Sequence, residues 1–316
     1  MKHSLKVTII LLIMFLLAQF IGIAIMYNYI DFSKSEEVGK TTFQDLPIGE
    51  RPPEDSGYLF ILTAIIVGTL VLLLFIKLKL MLLWRVWFLL ATAIGLLVAF
   101  SAFIREEIAF FLAAGLAIWK VFKPNFWIHT LTELFIYGGL AAIFVPSLNL
   151  FQAVIIMIVI AFYDAYAVWK SKHMITLAKS QTKAKIFAGL LVPYKIKGMF
   201  KKNNKEAKAK KEDKKEDKKD KSTKPLIKTS PKNRRTVKVR TAMLGGGDIA
   251  FSLIFAGVVL KELGLWQSLI IPFFAAAALG FLFWWGEEKK FYPAMPFISV
   301  GCFLGLGFVW LIGLLI

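Results

Sequence analysis

What most constrains this chain is a recurring apolar stretch about as long as a bilayer is thick. A helix needs about 20 predominantly apolar residues to cross ~30 Å of hydrocarbon. Nine stretches approach that length: Lys6–Tyr29, Tyr58–Ile76, Val86–Ile104, Glu107–Phe122, Phe126–Val145, Leu148–Trp169, Thr241–Leu260, Leu263–Trp285 and Phe291–Ile316. No strand-like alternation is evident, which argues against a transmembrane β-barrel. Such a chain holds more apolar surface than one soluble core hides: 58% of its 316 residues are hydrophobic and 19% charged, against roughly 45–50% and about 25% in soluble domains. The lone Cys302 rules out an internal disulfide. The expected class is an all-α polytopic membrane protein with nine transmembrane helices.

Charge sets the expected orientation, because short cytoplasmic loops collect Lys and Arg. Residues 170–240 hold 25 of the 39 basic residues and 6 of the 21 acidic ones, a net +19, and the rest of the chain sums to −1. With the N-terminus cytoplasmic, the inside segments carry Lys2 and Lys6, Lys77, Lys79 and Arg85, Lys120 and Lys123, the 170–240 block, and Lys289 and Lys290. Loop 31–57, with seven carboxylates against three basic residues, falls outside. Nine spans then leave the C-terminus extracytoplasmic. The short fourth span is counted because without it the basic block would face outward. The start Met1-Lys2-His3 resembles a signal sequence, but the long apolar stretch without a clear cleavage site reads as a signal anchor.

Three parts follow: spans one to six over 1–169, a cytoplasmic Lys-rich loop over 170–240, and spans seven to nine over 241–316. Within the loop, Lys172–Tyr194 mixes Lys with Met174, Ile175, Leu177, Ile186, Phe187, Leu190 and Leu191, a pattern that suits an interfacial amphipathic helix. Residues 201–224 are low-complexity Lys, Glu and Asp, expected to be disordered. This block can sit against anionic lipid. Nucleic acid is not expected as a partner, since residues 201–224 contain no aromatic stacking platform.

Ionisable groups inside hydrocarbon are costly and therefore candidates for function. Once those near span ends are set aside, Glu133, Asp164 and Asp248 remain. Asp164 precedes Lys170 by six residues, about 9 Å along a helix, and Asp248 follows Arg240 by eight, about 12 Å. On antiparallel spans the two aspartates therefore reach similar depth near the cytoplasmic side. Two carboxylates brought close in low dielectric share a proton and titrate as a unit. One can then activate water while the other, protonated, hydrogen-bonds a peptide carbonyl. Gly245, Gly246 and Gly247 permit unwinding and close backbone approach; standing directly before a buried Asp248 they favour a site over the alternative, a small-residue packing surface. Pro293 and Pro296, near the inner boundary, disfavour regular helix, or mark a helix start.

Taken in order, Tyr163-Asp164 in span six, Gly245-Gly246-Gly247-Asp248 in span seven and Pro293-Ala294-Met295 in span nine resemble the presenilin/signal peptide peptidase family of intramembrane aspartyl proteases. The run Lys172-His173-Met174-Ile175-Thr176-Leu177-Ala178 looks like its archaeal branch. The family pattern is Tyr-Asp, Gly-x-Gly-Asp and Pro-Ala-Leu. This chain departs from it with Gly246 at the variable position, often Leu, and with Met295 for Leu, an apolar exchange of similar volume. The resemblance implies that Asp164 and Asp248 are catalytic. It also implies that Tyr163, Gly245–Gly247 and Pro293–Met295 contact an unwound substrate segment partly through its backbone. It further implies transmembrane protein substrates, no cofactor or metal, and an archaeal cell membrane.

Glu133 has His129 four residues before it on the same face, which suits a local His–Glu or hydroxyl-bonded pair or a third group tuning the aspartates. Gly301, Gly305 and Gly307 read as close helix packing, and Trp127, Trp169, Trp284 and Trp285 as interfacial anchors. Only three histidines occur, with no His-Glu-x-x-His and no Gly-x-Ser-x-Gly, which argues against zinc and serine proteolysis. From a different class, buried carboxylates and broken helices also suit a proton- or cation-coupled transporter or leak channel.

Overall fold

The computed structural model describes residues 5–49, 57–78, 80–170, 188–194, 240–287 and 292–315. Residues 1–191 with 243–316 form one compact unit, and residues 192–242 a second. Of the second unit only 192–194 and 240–242 are described. The run 172–178, most of the expected interfacial helix and the whole 201–224 tract lie outside the described residues.

The helices are α1 (Leu5–Asn28), α2 (Phe32–Val38), α3 (Gly57–Lys77), α4 (Met81–Ser101), α5 (Glu106–Phe122), α6 (Phe126–Phe144), α7 (Leu150–Trp169), α8 (Gly246–Leu263), α9 (Leu265–Trp285) and α10 (Met295–Leu315). Two strands, β1 (Gly189–Tyr194) and β2 (Arg240–Gly245), pair with each other. Among the described residues seven helices, α1, α3, α4, α6, α7, α9 and α10, are long and apolar enough to cross a membrane. The other two long helices carry more charge or fewer residues: α5 has 17 residues with Glu106, Glu107 and Lys120, and α8 holds Asp248, Lys261 and Glu262.

Three expectations are corrected. The seventh span was expected from Thr241, but Thr241–Gly245 is strand and the helix starts at Gly246. A short apolar run bounded by glycine fits either element, and pairing with β1 decides for strand. Likewise Leu190 and Leu191, expected in an interfacial helix, lie in β1. The ninth span, expected from Phe291, starts as helix at Met295: Pro293 lacks a backbone N–H, and Pro296 lies in the first turn, where that loss costs little; Phe291 itself lies outside the described residues. In addition, α2 was not anticipated: Asp31 caps it by accepting from Lys34 N–H at 3.2 Å, and Gly39 closes it at φ 69°.

Within the first unit, α6 packs on α1, α4, α5 and α8. Small residues allow the closest of these approaches. A Cβ at Gly138 would lie 2.9 Å from Gly22 Cα across the α1–α6 crossing. Helices α7, α8 and α10 pack against one another, and α9 lies on α1, α8 and α10. The expected glycine packing holds at Gly301, whose Cβ would meet Phe274 O at 2.6 Å, and at Gly305, 3.2 Å from Ile271 Cδ1. It fails at Gly307, which has open space around it. Trp127, Trp169, Trp284 and Trp285 are all exposed on the protein, as lipid- or interface-facing rings would be.

Candidate active site

Asp164 owes its place to the phase of α7. That helix starts sharply, because Asn149 and Gln152 cap it reciprocally: Gln152 N–H donates to Asn149 Oδ1 at 2.9 Å and Asn149 N–H to Gln152 Oε1 at 3.1 Å. From that start the buried stripe runs Ala153, Ile156, Met157, Ile160, Asp164, Ala167, the helical period of a core-facing face. Asp164 is therefore the one acidic member of an apolar stripe and is only 7% exposed. Tyr163, one residue earlier, is half-buried.

A buried carboxylate needs donors. Asp164 Oδ2 accepts the Met295 backbone N–H at 3.1 Å. Met295 is the first residue of α10, so its N–H has no acceptor within its own helix. Asp164 thus caps α10 from another helix, where the positive end of the dipole favours a negative charge. One turn further on, Ser299 Oγ donates to Met157 O at 3.3 Å. The two contacts align α10 antiparallel to α7 and hold the buried Met295 against the Asp164 stripe; Pro293 is buried as well. Ala294 between them is half-buried.

Asp248 reaches its place differently. Gly245 ends β2 in extended conformation and is the N-cap of α8 without a side-chain cap. Gly246 N–H donates to Ala188 O at 3.2 Å. Asp248 is then in the first turn of α8, again at a helix N-terminus, and is half-buried. The depth of about 12 Å drawn from continuous helix does not apply, since Arg240–Gly245 is strand. Its Oδ2 would lie 3.1 Å from a Cβ on Gly245, so a side chain there would crowd the carboxylate. Gly246 is buried and Gly247 exposed. Behind Asp248, α1 holds the turn: Gln19 Nε2 donates to Ile249 O at 3.0 Å and to Ser252 Oγ at 2.7 Å, and Ser252 Oγ donates to Asp248 O at 2.9 Å. Sequence reading passed over Gln19; a lone amide in an apolar span was the signal for it.

Glu133 does not pair with His129. Its Oε1 takes Lys120 Nζ at 2.5 Å, and its Oε2 accepts the Tyr137 hydroxyl and the Gly189 N–H, the latter at 3.0 Å. Lys120, expected in an inside loop, is instead 3% exposed within α5 and faces the equally buried Glu133 on α6. An uncompensated acid at that depth is costly, and the ammonium offsets it. Among the described residues, no group of three or more His, Cys, Asp or Glu gathers as a metal site would.

Comparison with known proteins adds two findings. The family model described as "Signal-peptide peptidase, presenilin aspartyl protease" matches residues 35–316. Two solved structures share the fold. A presenilin family intramembrane aspartate protease in space group C222 aligns with TM-score 0.59 at 16% identity, over 96% of this chain and 99% of that one. The same kind of protein in space group P2 aligns with TM-score 0.57 at 16% identity, over 96% of each chain. No curated protein matches.

Proposed function

This chain belongs to the family of signal-peptide peptidase and presenilin aspartyl proteases, and from that premise we propose that it is an intramembrane aspartyl endopeptidase using an Asp164/Asp248 dyad. The observation that carries the proposal is the bond from Met295 N–H to Asp164 Oδ2, which joins two family motifs 131 residues apart in sequence. The family offers no support for a transporter or leak channel.

In the proposed reaction the two carboxylates hold one proton between them. The ionised one takes a proton from water as that water attacks the scissile carbonyl carbon. The protonated one donates to the carbonyl oxygen, giving a tetrahedral gem-diol with no covalent enzyme intermediate. Collapse breaks the C–N bond, and a proton passes to the departing amine. Helical peptide bonds are shielded, so the substrate segment unwinds first. Tyr163, the backbone of Gly245–Gly247 and the segment Pro293–Met295 hold it there. The helix N-termini under both acids help keep one negative charge in the site, an effect of roughly 0.3–1 kcal/mol each.

The finer topology belongs to the same proposal: nine spans, a cytoplasmic N-terminus and Lys-rich loop, anionic lipid beside that loop, and single-span substrates whose N-terminus lies outside. The test is incubation of purified protein with a tagged single-span polypeptide and mass spectrometry of the products. Wild type is expected to cut, and Asp164→Ala and Asp248→Ala to leave the substrate whole. Substantial cleavage by both single variants would end the assignment.

A further inference from the structure

The Glu133 cluster is not used by the reaction above, yet it touches both strand ends that lead into the site. Along α6, His129, Glu133 and Tyr137 recur every four residues and so stack on one face. The first two grip a single residue, Gly189, through both of its backbone polar groups. His129 Nε2 lies 2.9 Å from Gly189 O, a carbonyl that can only accept, so Nε2 carries the hydrogen. Glu133 Oε2 accepts Gly189 N–H. Gly189 adopts φ 144°, which side-chain-bearing residues rarely do. The third residue, Tyr137, lies against the other strand end: a Cβ on Gly246 would come within 2.6 Å of its hydroxyl oxygen. The hydroxyl itself donates to Glu133. Lys120, on α5, leaves the Glu133 carboxylate free to act as an acceptor for both donors.

We propose that His129, Glu133 and Tyr137, backed by Lys120, are positioning residues that clamp Gly189 and Gly246 onto α6 and thereby set where Asp248, two residues further on, presents its carboxylate. The proposal rests on the aspartyl protease reading, because it assigns the clamp a role in catalysis. A merely structural ion pair would hold α5 on α6 and leave turnover to follow stability. A clamp instead makes turnover depend on the hydrogen bond to Gly189, whether or not a charge is present.

Two double variants separate these. Lys120→Met/Glu133→Gln and Lys120→Met/Glu133→Leu have the same charge and similar side-chain volume, but only Gln can still accept from Gly189 N–H. The Gln variant is expected to keep kcat within about threefold of wild type, and the Leu variant to lose about tenfold or more in kcat with KM unchanged. Hydrogen-exchange mass spectrometry is expected to show faster exchange of peptides containing Gly189 and Gly246 in the Leu variant alone. Equal kcat in the two variants, or a loss confined to KM, overturns the clamp. If the Leu variant does not give folded protein, Tyr137→Phe decides. The clamp predicts reduced kcat and faster exchange around Gly246, and a wild-type value of either refutes it. If wild type cuts nothing, the protease reading fails, and the exchange data still decide whether the clamp exists.

Discussion

Asp164 does two jobs that substitution can pull apart. As an acid it is the proposed catalyst of hydrolysis; as an acceptor it caps α10 through Met295 N–H. Asn keeps an oxygen for that N–H and Ala does not. Both Asp164→Asn and Asp164→Ala are therefore expected to be inactive, with Ala less stable than Asn by about 1 kcal/mol, the usual worth of a helix cap. Thermal unfolding of the two variants in the same detergent measures the difference. Lys261 offers a comparable case far from the acids. Its Nζ donates to Pro146 O at 2.9 Å and Leu148 O at 3.1 Å, at the turn between α6 and α7. Lys261→Met is expected to cost about 1–3 kcal/mol by leaving carbonyls without a donor, read as a lower unfolding midpoint with KM unchanged. The acids and the proline motif were legible because charge and proline are conspicuous in an apolar sequence. Lys120 was not: its partner is 13 residues away on the next helix, and a lysine near a span end looks like a loop marker until helix orientation is known.

At the scale of elements, the helix interiors were readable and some of their starts were not. The seventh span shows why. Thr241–Gly245 is apolar enough to continue α8 backward, yet it pairs with β1, whose sequence lies some fifty residues upstream. Long-range pairing of this kind leaves no local periodicity. Helix contacts were likewise only half legible, since Gly301, Gly305 and Gly307 on α10 look alike in sequence and differ in surroundings. Gly301 meets the α9 backbone and Gly307 meets nothing within 4 Å. Gly301→Val is expected to separate α9 from α10, with an overpacking cost of at least about 1–3 kcal/mol. Gly307→Ala is expected to raise stability by about 0.5–1 kcal/mol through helix propensity alone. Opposite shifts in unfolding midpoint are the result to look for; the same sign in both would refute this account of α9–α10 packing.

For the whole molecule, α5 decides on which side of the membrane the Lys-rich loop falls. Its 17 residues span about 26 Å, a little short of the hydrocarbon, a mismatch that local thinning accommodates at modest cost. Its interior charge is not free: Lys120 is matched by Glu133. Glu106 and Glu107 sit in its first turn, where the dipole suits them and a boundary is expected. The ion pair therefore removes the main objection to α5 as a span. Between Lys34 and Ser222 lie α3, α4, α5, α6 and α7, so those two positions face opposite sides if α5 crosses and the same side if it does not. The native Cys302 is fully buried, which leaves a chemically quiet background for single introduced cysteines. Lys34→Cys replaces a side chain that is 68% exposed. In sealed, oriented vesicles a membrane-impermeant maleimide is expected to label Lys34→Cys from outside only and Ser222→Cys from the cytoplasmic face only. Labelling of both from one side would mean an even number of crossings between them. That result would remove α5 from the count and would place the +19 loop on the outer side if the N-terminus is cytoplasmic.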